Sequence, residues 1–437
     1  MAVAVAALLL IPPLVKSGKA RVLYTLLGGL LVLGPPGVGV TKLAYLAGLL
    51  VAAAVSIPHI NRRMAEPWFR SYRWVVPTII LMGGALATSF LVAQINGISP
   101  ESWLRDALPY ILLIGSPIIA LGAVHDLSRD WCFRMIAVVG VISAVAFAVD
   151  WLSRRGVSTL PVSRFAFGSA AMIAFAFGFL LVRALLRRRH RIWWGAAALL
   201  MPLSILITGS RTALILFAAV GAAIGPLARE RIPPIRAVMC VGAAALIVWT
   251  ALPVLGSALI SNPEFLGSRI EAAERVLTGS ADADQSYEGR ASQTTQAAGA
   301  IANAPVFGVG LGHQFEVPGR DEPNRSNIDS PLGPVAKLGL FGTGALVCFL
   351  AALVRPIVIG SRERPDFVYT ACWSFVVLFL VQIPFGSFVE DKGLSFAVLL
   401  FVAVTAATAY GRRSKAPVLN GKSVSAPPGA VRSSTLK

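Results

Sequence analysis

Charge is scarce in this chain, and acidic charge scarcer still: Asp, Glu, Lys and Arg make up only 14% of 437 residues, with 21 acidic against 39 basic side chains. So few ionisable groups cannot cover a soluble globule, which excludes the ordinary water-solvated domain. Cysteine is also sparse. Cys132, Cys240, Cys348 and Cys372 all lie in or beside apolar segments, a placement that predicts neither a disulfide framework nor a zinc site. The stretch from Met1 to Val15 lacks a basic leader and a small-x-small cleavage site. It therefore reads as a retained first span or a re-entrant segment, not a removable signal peptide.

Apolar sequence fills the chain instead, at 56% hydrophobic residues and a mean hydropathy of +0.73. Runs near the roughly 20 residues that cross a bilayer as a helix recur along most of its length. Spans are expected near residues 1–15, 22–40, 43–58, 74–95, 107–124, 133–151, 161–186, 192–208, 211–228, 236–260, 333–354, 367–385 and 392–410. The predicted fold class is an all-α integral membrane protein, a bundle of about 12–13 transmembrane helices with one large external, partly helical loop. The expected organisation is a transmembrane domain over 1–410, with loop 261–332 inserted, and a disordered basic tail over 411–437.

The formal charge of +18 raises the possibility of nucleic-acid binding, but the basic residues are placed like topology signals. They cluster at Lys16/Lys19/Arg21, Arg62/Arg63/Arg70/Arg73, Arg183 to Arg191, Arg229/Arg231/Arg236, Arg355/Arg362/Arg364 and after Arg412, at alternate connections. The positive-inside rule makes these cytoplasmic, with Arg154, Arg155 and Arg164 as exceptions on the other side. No nucleic-acid partner is expected. The loop 261–332 falls outside and carries ten acidic residues against five arginines and no lysine. A first surface helix is expected around Phe265 to Leu277 and a second from about Tyr287 to Asn303. The tail has no acidic residue and is read as solvated or touching anionic lipid.

Several polar residues are grouped at the predicted external boundary. Ser210 can cap the span that follows Gly209, placing Arg211 in the first turn of a helix whose positive end faces out. Such a position suits a phosphate, or an arginine reaching toward lipid headgroups. Arg290 follows Glu288-Gly289 in the loop and is either a solvated surface residue or, if it meets Arg211, the second half of a diphosphate clamp. The run Gly308-Val309-Gly310-Leu311-Gly312 follows no strand and opens no βαβ unit, so a dinucleotide loop is excluded; its glycines let the backbone turn back toward the membrane. His313 follows directly, as a base, an acceptor contact or an ordinary loop histidine. Asn327-Ile328-Asp329-Ser330-Pro331 leads into the next span, with Ser330 as N-cap and Pro331 in the first helical position. Asp329 is either part of that cap or a proton acceptor.

Taken in order, these pieces resemble the O-antigen ligase and polymerase family of polytopic glycan transferases. The resemblance rests on Leu206-Ile207-Thr208-Gly209-Ser210-Arg211-Thr212-Ala213-Leu214, Arg290, Pro305-Val306-Phe307-Gly308-Val309-Gly310-Leu311-Gly312, and Asp329-Ser330-Pro331-Leu332 running into Leu338-Gly339-Leu340-Phe341-Gly342. It covers about residues 192–354. It implies a polyprenyl-diphosphate-linked glycan donor held between Arg211 and Arg290, a glycan or lipid-glycan acceptor, surrounding membrane lipids, and a multi-pass location in a bacterial inner membrane. Catalysis would fall to Asp329, Arg211, Arg290 and His313, and substrate contacts to Ser210, Arg211, Arg290, Gly310, Gly312, Asn327 and Ser330, with no metal and no cofactor. Family ligases usually carry a His-Asn pair where this chain has Asp329-Ser330, so a polymerase or a ligase with another acceptor is the expectation. The rival classes are a non-catalytic glycan-assembly protein, which gives no reason for two arginines and a glycine-rich turn on one external face, and a polysaccharide or small-solute transporter or flippase. The latter is disfavoured because the spans look almost free of ionisable groups, with Asp150 and Lys337 near predicted ends.

Overall fold

The computed structural model describes residues 16–32, 40–153, 170–186, 190–206, 220, 285–316, 324–325, 330–363, 366–382 and 392–413. Among them the chain is almost entirely helical. The helices are α1 (Gly18–Val32), α2 (Val40–Arg63), α3 (Val75–Ile95), α4 (Pro100–Ala123), α5 (Arg129–Ser153), α6 (Ala170–Leu186) and α7 (Arg191–Leu206). They continue with α8 (Gln285–Asn303), α9 (Gly333–Glu363), α10 (Phe367–Gln382) and α11 (Lys392–Arg413). A two-residue antiparallel pair, β1 (Phe315–Glu316) and β2 (Asn324–Arg325), is the described sheet, with Phe315 opposite Arg325.

Five of these helices, Val40–Arg63, Val75–Ile95, Pro100–Ala123, Gly333–Arg362 and Gly393–Gly411, are long and apolar enough to cross a membrane. The protein is an all-α, multi-pass membrane protein. Helices α4 and α11 form the centre of the bundle and are buried on almost every side. Ser116 donates to the Ser395 carbonyl at 2.8 Å, and Ser395 donates to the Pro109 carbonyl at 3.1 Å, joining the two helices. Helices α2 and α3 lie outside them. They leave Leu50, Ile80 and Leu91 more than half exposed, an apolar outer face of the kind lipid covers. Buried hydroxyls such as Ser56, Ser143 and Thr408 donate to carbonyls one turn back, so polar groups stay satisfied without water.

The spans expected near 43–58, 74–95, 133–151, 192–208, 367–385 and 392–410 correspond to α2, α3, α5, α7, α10 and α11. Three boundaries differ. α1 starts at Gly18, ahead of the expected 22–40, and residues 33–39 lie outside the described residues. α9 continues to Glu363, past Arg355 and Pro356. α4 starts at Pro100, not 107, because Ser99 accepts the Ser102 N–H at 3.2 Å as an N-cap and Pro100 takes the first turn, where its missing N–H costs nothing. This shift puts Arg105 and Asp106 inside a membrane helix. The second loop helix is present as α8, while the expected surface helix near 265–277, the spans near 1–15, 211–228 and 236–260, and the tail from 414 lie outside the described residues.

Candidate active site

One end of the bundle is organised by a break in α9. Gly339 has φ 67° and ψ −175° in the middle of an otherwise helical segment, a combination open essentially only to glycine. The interruption frees backbone groups that an apolar interior cannot leave unpaired. The loop after α8 takes them up. Val309 N–H donates to the Ala336 carbonyl at 2.9 Å and Gly310 N–H to the Lys337 carbonyl at 3.0 Å. In return, Leu340 N–H donates to the Pro305 carbonyl at 2.9 Å and Phe341 N–H to the Val306 carbonyl at 3.0 Å. Four bonds between loop and helix thus replace the two that a continuous helix would have made at Leu340 and Phe341.

The glycines of the loop fit this arrangement closely. Gly308, Gly310 and Gly312 all have positive φ. A Cβ on Gly308 would meet the backbone of Lys337 and Gly339 at 2.6 Å, one on Gly310 the Ala93 backbone at 2.9 Å, and one on Gly312 the Trp103 nitrogen at 2.7 Å. The segment therefore does more than turn back toward the membrane: it is wedged among the end of α3, the start of α4 and the break in α9. Asn96 Nδ2 donates to the Val309 carbonyl at 2.9 Å, and Leu311 N–H donates to Ser89 Oγ at 3.0 Å.

Beneath the loop lies an ion pair. Lys337 Nζ and Asp106 Oδ2 are 3.2 Å apart, with side chains 0% and 2% exposed, and Gly312 N–H donates to the same carboxylate oxygen at 3.0 Å. The expectation that the spans are almost free of ionisable groups is thereby corrected. Asp106 is drawn into the bundle by the early start of α4, and Lys337 sits one turn into α9. The Ser99-Pro100-Glu101 start signal in the sequence marks this earlier helix start.

His313 leaves this loop half-buried, its ring edge-on to Phe315 with centroids 4.9 Å apart. Burial, and then the Lys337 ammonium, push its pKa below the ordinary histidine value. It is therefore neutral at neutral pH and able to accept a proton. Ser330 is fully buried at the start of α9. Its hydroxyl accepts from Leu332 N–H at 3.3 Å and its carbonyl from Gly333 N–H at 3.0 Å. The expectation that Ser330 caps the helix and Pro331 takes its first position is corrected: the helix begins at Gly333, and the Ser330 hydroxyl closes a turn ahead of it. Thr294 of α8 donates to the same hydroxyl at 3.2 Å. Ala297 and Phe315 pack with Ala336 in a small apolar cluster, so α8, β1 and the start of α9 form one unit.

The backbone of Arg290 belongs to α8, one helical turn before Thr294. Its side chain, and Ser210, Arg211, Asn327 and Asp329, lie outside the described residues. Gly310, Gly312, His313 and Ser330 are brought together around the start of α9. Among the described residues, no three or more His, Cys, Asp or Glu side chains gather as a metal centre would require.

Residues 196–335 match the O-Antigen ligase family. That segment is similar to an O-antigen ligase domain. All nine candidate residues, from Ser210 to Ser330, fall within it. Asp106, Ser89, Lys337 and Gly339, which hold its glycine loop in place, fall outside the matched segment, so that segment is braced by helices from elsewhere in the chain. No curated protein matches the sequence.

Proposed function

We propose that this protein transfers a glycan from a polyprenyl-diphosphate donor to a glycan or lipid-glycan acceptor at the external face of a bacterial inner membrane, as a polymerase or ligase. The observation that carries the reading is the match of residues 196–335 to the O-antigen ligase family, a segment within which all nine candidate residues fall. The geometry adds support: the Thr294–Ser330 hydrogen bond links the helix bearing Arg290 to the residue directly after Asp329.

In the proposed step an acceptor hydroxyl oxygen attacks the anomeric carbon, and the bond from that carbon to the diphosphate oxygen breaks. The electron pair leaves with the polyprenyl diphosphate, and the anomeric configuration inverts. Arg211 and Arg290 hold the diphosphate through paired guanidinium N–H groups and stabilise its growing charge. The hydroxyl proton passes to Asp329, with neutral His313 as the second candidate. Ser210 and Asn327 contact substrate, Ser330 holds the turn ahead of α9 against α8, and Gly310 and Gly312 shape the wall beside it. The donor is already activated, so no cofactor enters the step.

The diphosphate clamp is tested by replacing each arginine with lysine. Arg211→Lys and Arg290→Lys keep the charge but lose the fork, and each is expected to lose most turnover with normal insertion. Near wild-type turnover by both variants at matched protein level contradicts the clamp. The buried Asp106–Lys337 pair favours a second reading, since ionisable groups inside a bundle often mark a transport path. Under that reading the protein moves lipid-linked glycan across the membrane without altering it.

A further inference from the structure

The ion pair beneath the glycine loop has no part in the step above, yet its geometry couples three elements. Asp106 Oδ2 receives both Lys337 Nζ at 3.2 Å and Gly312 N–H at 3.0 Å. Lys337 also accepts Gly310 N–H through its own carbonyl at 3.0 Å. One residue of α9 is therefore tied to the loop twice, once through its backbone and once through the carboxylate of α4. The next residue along the loop is His313. In the other direction, Lys337 stands one turn after Gly333, whose N–H is bonded to Ser330.

We propose that Asp106 and Lys337 are positioning residues for the glycan-transfer reaction: their ion pair, closed through the Gly312 N–H, fixes His313 and the Ser330 start of α9 relative to one another. The inference rests on the transfer reading above. Burial makes the arrangement effective, because a carboxylate that loses its ammonium keeps only the longer, half-exposed contact to Arg105 Nε at 3.9 Å. The charges also act over a short distance. A shift of about 1 Å in a positioned group can cost on the order of 10²-fold in rate, so a loosened loop lowers turnover without removing any group that touches substrate.

The test uses full-length protein in lipid nanodiscs, with polyprenyl-diphosphate-linked oligosaccharide extracted from the native host as substrate. In the paired variant Asp106→Asn/Lys337→Met both charges are removed, while the side-chain oxygen of the introduced asparagine can still accept the Gly312 N–H. The pairing avoids leaving one buried charge alone, the main cause of misfolding expected of either single change. The expected result is kcat lowered by about tenfold or more with KM within about twofold, and faster hydrogen exchange at residues 309–313. Lys337→Arg, which keeps a cation facing Asp106, is expected to recover most of kcat.

Ser89→Ala serves as a charge-free second probe, because it removes the acceptor of Leu311 N–H at 3.0 Å. It is expected to quicken exchange at 309–313 and to lower kcat in the same sense. Wild-type kcat in the paired variant overturns the proposal. If the paired variant does not fold, faster exchange in Ser89→Ala with unchanged kcat overturns it instead. A wild-type protein that forms no product defeats the transfer reading itself, an outcome separate from these.

Discussion

At the scale of single residues, Asp329 and Ser330 are neighbours with different assignments. Ser330 has a complete structural explanation in its buried hydroxyl, which accepts from Leu332 N–H and the Thr294 hydroxyl. Leaving buried donors without their acceptor costs about 1–3 kcal/mol, so Ser330→Ala is expected to lower thermal stability and keep most turnover. Removing a general base costs about 10² to 10⁴ in rate. Asp329→Asn is accordingly expected to be abundant, inserted and almost inactive, measured as initial rate per folded protein. Normal turnover of Asp329→Asn passes the role of base to His313. That histidine is already suited to it, since burial and Lys337 favour its neutral form. Its acid limb then lies below the ordinary histidine pKa, because protonation is disfavoured until the pH falls through the lowered value.

At the scale of elements, the decisive feature is the broken α9, and the sequence disclosed only part of it. Apolar runs located most of the described helices, and the helix expected from about Tyr287 to Asn303 is α8. The glycines at 308, 310 and 312 were legible as a turn because each glycine lifts a steric restriction. Their docking was not, because it depends on Asn96, Ser89 and Asp106, more than 200 residues earlier in the chain, and local spacing carries no record of that pairing. Gly339 read as part of an apolar run for the same reason. Its conformation makes a sharp prediction. In Gly339→Ala the new Cβ falls on the Val306 carbonyl and the Gly308 amide, and the backbone is forced into a region alanine avoids. We expect a loss of more than about 2 kcal/mol, read as a large drop in detergent-solubilised melting temperature. Gly344 lies five residues further along the same helix, and its added Cβ would meet nothing within 4 Å. Gly344→Ala is expected to be neutral or stabilising by up to about 1 kcal/mol. Equal melting temperatures for the two variants contradict the account of the break.

At the scale of the whole molecule, five long apolar helices and a segment similar to an O-antigen ligase domain describe a membrane protein with its candidate chemistry at one end. The opposite end carries Arg62 and Arg63 at the close of α2, the Arg129–Asp366 ion pair at 3.2 Å and Tyr72 bonded to Thr405 at 2.8 Å. The charge asymmetry predicts that this end faces the cytoplasm, with the C-terminus. Cysteines introduced at Asp282 or Asp321 are then expected to react with an impermeant thiol reagent in intact cells, and one at Ser414 to remain unlabelled. Labelling confined to Ser414 reverses the orientation. The central claim is bond formation, and reconstitution tests it most directly. Purified protein in proteoliposomes, supplied with polyprenyl-diphosphate-linked oligosaccharide and acceptor, is expected to release one polyprenyl diphosphate for each new glycosidic bond. Appearance of unmodified lipid-linked glycan in the opposite leaflet, with no lipid diphosphate released, contradicts the account and identifies a transporter.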